Sequence, residues 1–424
     1  MTLRVRTERL DEDRALLDLT DLVPDAQPFV FVQDGDGVVA GGTALEVPVG
    51  TGPGRLAAAR STLRTLTADA DVTDPVGTAG SGLVAVGAFT FDPSAEGSTL
   101  RIPRVIVGRR AGSTWRTTVE TVGDGGPRIP IGGDAAGDPA TDSGAVPDRP
   151  RYAGSTLDDT AWLEAVASAV VAIRAGELEK VVLARDLMLW SRAPFDVRTV
   201  LVGLAARFPS CFTFRDGTLI GASPELLLQR TGSRVASRVL AGTAPRGDDA
   251  AADAALGAEL LASTKDRWEH DLAARSAAEV LAAHCSDLDV PDGPSLVRLD
   301  NVQHLGSDLT GTLDADVHVL DLLDTLHPTA AVAGTPREAA LARIPALERM
   351  DRGRYAGPVG WCTPDGDGEF AIALRCAEVD GTRARLFAGA GVVVDSLPES
   401  ELRETWLKLR AMTDALGAEP VTRR

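Results

Sequence analysis

Three helix-forming stretches stand between runs of short strands closed by tight turns, and this alternation restricts the fold more than any other feature of the chain. Helices are predicted over 157–177, 249–285 and 398–416; the first has Asp158 or Asp159 near its start and Gly176 at its end. Ahead of them lie three strand-like segments: PFVFVQDGDGVVAGG at 28–42, GLVAVGAFTFDP at 82–93 and RIPRVIVGRR at 101–110. The VQDGDGVV stretch has the Asp-Gly chemistry of a hairpin. KVVLARDLMLW at 180–190 is a further strand, several antiparallel strands follow in 211–247, and two strands joined by Asp380-Gly381 fill 369–394. Long helices beside antiparallel runs predict an α+β fold rather than a parallel doubly wound sheet. Residues 123–150 are rich in Gly, Pro and Asp and read as a long surface loop. That loop ends a first part, 1–150; 151–416 follows as the main region and 417–424 as a tail.

The charge balance excludes several functions. With 43 Lys+Arg against 61 Asp+Glu the chain carries −18, and nucleic acids and anionic membranes need a concentrated positive surface. Cys211, Cys285, Cys362 and Cys376 form no C-x-x-C pair, so neither zinc nor a disulfide framework is expected. No apolar run has the roughly 18 residues of a membrane helix, and MTLRVRTERLDEDR lacks a secretory apolar stretch. A cytoplasmic protein without nucleic-acid or membrane partners is expected. GAGVVV at 389–394 fails as a dinucleotide fingerprint, because its third glycine is missing and a strand follows.

Among the basic residues only Lys180, Lys265 and Lys408 are lysines. Biased codon usage explains the average, but a lysine that persists in such a chain points to a need for a compact, deprotonatable amine. Glu401, Glu404 and Lys408 share one face of the last predicted helix, and Glu269 lies on the middle one. A solvated salt-bridge face is the bland reading; two glutamates from facing helices would instead make an oxygen-only site suited to Mg²⁺. The strand EFAIALRC is expected to put Ala371, Ala373 and Arg375 on one face, leaving room for a ligand carboxylate held by the arginine. Glu225 follows Ser223-Pro224 at a strand entry. His304 and His327 read as hydrogen-bonded structural histidines.

Nine segments, in order, resemble the chorismate-utilising enzyme family: EKVVLAR (179–185), GASPELLL (221–228), LAGTAPRG (240–247), STKDRWEH (263–270), VQHLGSDLTG (302–311), LHPTAAVAGTPREAA (326–340), DRGRYAGPVGW (351–361), AIALRCAEV (371–379) and AGAGVVVDSLPESELRETWLK (388–408). The resemblance covers about residues 150–415 and implies one large domain of two stacked, mostly antiparallel sheets flanked by helices, with the site between them. It implies Lys180 as general base and Glu225 as general acid. It implies Glu269 and Glu404 as Mg²⁺ ligands, with Glu401 as a ligand or just behind. Tyr355, Arg375, Gly389 and Lys408 match positions that hold the substrate's carboxylates; Gly242 and Thr243 match those lining the ring.

Where aminating members usually carry glutamine, Lys180 implies water as the nucleophile and no glutamine amidotransferase subunit. LHPTAAVAGTP is most similar to the isochorismate-forming members of the menaquinone-pathway type. Salicylate-forming members tend to have a threonine where Ala331-Val332 stands. The implied activity is Mg²⁺-dependent conversion of chorismate to isochorismate by a monomer, feeding quinone or siderophore synthesis. The rivals are salicylate formation in the same pocket and a non-catalytic chorismate-binding regulator.

Overall fold

The computed structural model describes residues 2–122 and 149–419. Its strands join into one hydrogen-bonded network, in which Thr2–Leu10 with Asp71–Thr73 is the only parallel pairing among the described residues. The network has two arms that meet at the strand Thr99–Arg110. One edge of that strand pairs with Asp36–Glu46 along its length; the other pairs with Ala85–Ala88 at its start and Ser113–Val122 toward its end. The first arm continues through Phe29–Gln33, Phe212–Asp216, Leu219–Ser223, Cys376–Asp380 and Arg383–Val392 to Lys180–Trp190. The second continues through Pro358–Cys362, Gly368–Ile372, Leu226–Thr231 and Arg234–Pro245 to Val302–Leu313. The expected pair of antiparallel sheets is thus two arms of one network, and the α+β class holds.

Local sequence accounts for much of this. Phe29–Gln33 and Asp36–Glu46 are joined by Asp34-Gly35, both at positive φ (50° and 82°), as a tight two-residue hairpin requires. The helix Asp159–Arg174 starts at Asp158, whose side chain accepts from the Ala161 N–H. It buries Trp162, Val166, Val170 and Ile173 on one face. Lys180–Trp190 is buried over nearly its whole length because it is covered on both faces, hence its apolar runs on either side of the buried Arg185-Asp186 pair.

Two expectations are corrected. The stretch 249–285 is not one helix but two, Ala250–Ala262 and Thr264–Ala282. Ser263 separates them in an extended conformation, and its hydroxyl accepts from the Asp266 N–H. A serine that bonds the backbone locally caps a helix better than it continues one. The segment 369–394 holds three strands rather than two, because Gly368–Ile372 ends before Arg375, which sits at φ +48°. Arg375 therefore does not alternate with Ala371 and Ala373 on one strand face. It stands where the chain leaves the second arm and joins the first. The predicted loop at 123–150 falls almost wholly outside the described residues, as does the end of the tail. Among the described residues no helix is long and apolar enough to cross a membrane.

Candidate active site

The chain crosses between the arms at 224–225 and again at 373–375, and the two crossings are tied together: the Ile372 N–H donates to the Glu225 carbonyl, 3.1 Å. A cavity opens here between the arms, with an empty volume of about 590 Å³ when its open mouth is included. Glu225, Gly242, Thr243, Glu269, Tyr355, Arg375, Gly389 and Lys408 line it. Lys180, Glu401 and Glu404 do not; Lys180 and Glu404 are each one contact behind a lining residue.

Glu225 is 3% exposed. Burial pushes its carboxyl up to about 8, against the Leu240 backbone hydrogen bond and the charges of Lys180, Lys408 and Arg375. That favours the protonated carboxyl at neutral pH.

Arg375 is oriented by His304. The guanidinium can only donate, so His304 Nε2, 3.0 Å away, accepts. The His304 proton then lies on Nδ1, which faces the Gly242 carbonyl at 3.2 Å and Thr243 Oγ1 at 3.1 Å. Burial first, then the charges of Arg375 and Lys408, hold the imidazole well below its ordinary range and thus neutral. Gly242, at φ +78°, sits where the register with Val302–Leu313 shifts, and this bulge presents its carbonyl and Thr243 to His304. Arg375 Nε is buried without a partner, leaving donor capacity for an anion.

Lys180 is fully buried. Its Nζ lies 3.3 Å from the Glu269 carbonyl and 3.4 Å from Glu269 Oε1. Gly391 makes this packing possible: a Cβ there would fall 1.9 Å from Glu269 Oε1 and 3.2 Å from Lys180 Cε. Tyr355 stacks on Phe387, with ring centroids 5.0 Å apart, and its hydroxyl approaches Gly389.

The three candidate metal carboxylates each carry an ammonium. Lys180 pairs with Glu269, Lys265 with Glu401 at 2.7 Å, and Lys408 with Glu404 at 2.5 Å. Every lysine of the chain is therefore in this cluster. Lys408 Nζ also donates to the Gly389 carbonyl, 2.9 Å. Burial, then the charge of Glu404, pushes Glu401 up to about 7. Burial opposes ionisation of Glu404 too, but Lys408, with Lys265 and Arg375, outweighs it, and that carboxyl lies below its ordinary value.

Among the described residues no three His, Cys, Asp or Glu side chains converge closely enough to hold a metal ion as they stand. The donor chemistry nonetheless suits a hard divalent cation: three carboxylates, with Glu401 Oε2 buried and unpartnered.

Sequence reasoning gave no role to three residues that the site uses. His304 was read as structural, although VQHLGSDLTG was among the resembling segments. Lys265 was singled out by the scarcity of lysine but assigned nothing. Gly391, inside a rejected dinucleotide motif, is the point of closest approach to Glu269.

Comparison with known proteins gives the family. The isochorismate synthase MenF of Bacillus subtilis is 41% identical over 271 residues, 63% of this chain and 58% of that protein. The isochorismate synthase DhbC of Bacillus subtilis is 43% identical over 258 residues, 58% of this chain and 65% of that protein. The matched stretch thus spans less than two thirds of either relative. The structure of MenF, the menaquinone-specific isochorismate synthase from Escherichia coli, superposes with a TM-score of 0.77 at 27% identity, covering 98% of this chain and 94% of that one. The family model for chorismate binding enzymes matches residues 9–417, and the chain belongs to that family.

Proposed function

We propose that this protein is an isochorismate synthase, converting chorismate to isochorismate with Mg²⁺. The observation that carries the reading is the joint burial of Glu225, a carboxyl kept protonated to about pH 8, and of Lys180. A binder needs neither acid nor base; a reaction that adds water and expels hydroxide needs both. The similarity to proteins named isochorismate synthases supports the same reading.

In this reading water adds at ring carbon 2 and gives a proton to Lys180, which must be the free amine at that moment. The ring double bonds shift, and the carbon-4 hydroxyl departs as water with the proton of Glu225. Arg375, fixed by His304, binds a substrate carboxylate, with Tyr355, Lys408 and the Gly389 backbone beside it; Gly242 and Thr243 line the ring. Glu269, Glu404 and Glu401 would hold the Mg²⁺, which supplies charge neutralisation at the ring carboxylate.

Ala331 and Val332 line the cavity, the apolar pair that resembles the isochorismate-forming rather than the salicylate-forming members. Residues 151–416 form the catalytic region in this reading, 1–150 complete the same fold, and the enzyme works as a cytoplasmic monomer without a glutamine amidotransferase, feeding menaquinone synthesis.

The test is chromatography of the products formed from chorismate and Mg²⁺. Isochorismate alone, lost on addition of EDTA, is expected. Salicylate as the main product, or full turnover without metal, overturns the assignment.

A further inference from the structure

The three ion pairs of the carboxylate cluster are not equivalent. Lys180 is fully enclosed and also faces the Glu269 carbonyl. Lys408 is 15% exposed and also donates to the Gly389 carbonyl. Lys265 is 26% exposed, and its one hydrogen bond among the described residues goes to Glu401 Oε1. Its partner Glu401 is 1% exposed, with the other oxygen unpartnered. Lys265 stands one turn before Glu269 on Thr264–Ala282, and Glu401 one turn before Glu404 on Pro398–Ala415. The Lys265 charge acts chiefly on Glu401 and less on Glu269 and Glu404. It is thus held by one carboxylate, lies near the other two, and is the most exposed ammonium of the cluster.

We propose that Lys265 is the exchangeable counter-ion of this cluster: a divalent cation binds by displacing its ammonium from Glu401 into solvent. The inference rests on the reading of Glu269, Glu401 and Glu404 as the metal-holding group. It explains why the carboxylates do not converge as they stand, since each is turned to an ammonium. It also gives the buried Glu401 a partner in both states. Without metal, Lys265 covers the charge; with metal, the long flexible side chain swings out and is solvated at little cost. A dication and the ammonium repel at the same oxygens, so their occupancies exclude one another.

The scarcity of lysine makes the test direct. Folded wild-type protein is acetylated briefly with acetic anhydride, with and without Mg²⁺, and the three lysines are quantified separately by peptide mass spectrometry. Mg²⁺ is expected to speed labelling of Lys265 several-fold and to leave Lys180 unlabelled; a Lys265 rate that is unchanged or slower overturns the proposal. Mn²⁺ affinity, measured by electron paramagnetic resonance without substrate, gives a second readout. Lys265→Met is expected to bind about tenfold tighter, a change of about 1.4 kcal/mol, while Lys265→Arg, which keeps a cation, stays near wild type. Weaker or equal binding by Lys265→Met shows a positioning role instead and overturns the exchange. Wild type that makes isochorismate but fails both tests refutes the exchange alone. Wild type that passes them but makes no isochorismate refutes the proposed activity alone.

Discussion

At the scale of single residues the site is an exercise in burial. Lys180→Ala is expected to lower the rate of isochorismate formation by at least about 10²-fold, with Mg²⁺ and chorismate still bound in equilibrium dialysis; near-normal turnover would remove Lys180 from the mechanism. Glu225→Gln keeps shape and a donor but no transferable proton, so turnover should fall by roughly 10²–10⁴. By microscopic reversibility the loss should be equal from isochorismate and from chorismate. A variant slow in one direction only contradicts the shared acid–base role. The carboxyl also predicts a pH profile: the donor form disappears as pH rises through about 8, so the rate from chorismate should fall there. Stability carries the same signature with a definite sign. The folded carboxyl holds its proton to about 8, whereas the unfolded one releases it near its ordinary value of 4.5. Between those values the folded state binds more protons, so this group's contribution falls as pH rises. Glu225→Gln removes the penalty, and its thermal midpoint should exceed wild type at pH 8 but match it at pH 4.

At the scale of elements, function depends on where strands and helices begin, end and approach. Ser263 starts a new helix one turn before Asp266 and so orients Lys265 and Glu269. Arg375 reaches the cavity because its strand ends before it, which no alternation pattern could signal. The Arg383–Val392 strand lets the Glu269 carboxylate lie against it at Gly391. In Gly391→Ala the atom met is the far end of a flexible side chain, so the fold should survive and Glu269 should move. We expect a thermal midpoint close to wild type with a Mg²⁺ requirement raised severalfold; a metal titration of activity beside a melting curve decides it. Unfolding, or an unchanged requirement, contradicts this account of the contact.

Across the whole molecule, one buried ion pair holds several distant segments at the site. Arg352 pairs with Glu348, donates to the Val332 and Val182 carbonyls at 2.8 Å each, and lies 4.1 Å from the Phe91 ring centroid. Glu348 in turn accepts from the Ala184 N–H at 2.7 Å. The strand Lys180–Trp190, the cavity wall at 331–332 and the N-terminal part of the chain meet there. Arg352→Leu leaves a buried carboxylate unpaired, which costs about 3–5 kcal/mol in comparable cases. Urea denaturation should read most of that loss, and a change under about 1 kcal/mol would show that the clamp is not structural.

The local sequence by itself determined the α+β class, a hairpin within 32–39, a helix start at Asp158 or Asp159 and the extent of Lys180–Trp190, because turn chemistry, capping and apolar patterning act over a few residues; the structure chose Asp34-Gly35 for the turn and Asp158 for the cap. The identity of the site residues came from motif order. Eight of them line one cavity. Only the tertiary structure decided how they meet. Lys265 and His304 lie far in sequence from the groups they meet, Glu401 and Arg375, and pairing across two arms is a property of packing rather than of any window of sequence. The same reason explains the carboxylate cluster: Glu404 and Lys408 share one helix, but Lys180 with Glu269 and Lys265 with Glu401 become partners only once separate segments pack together.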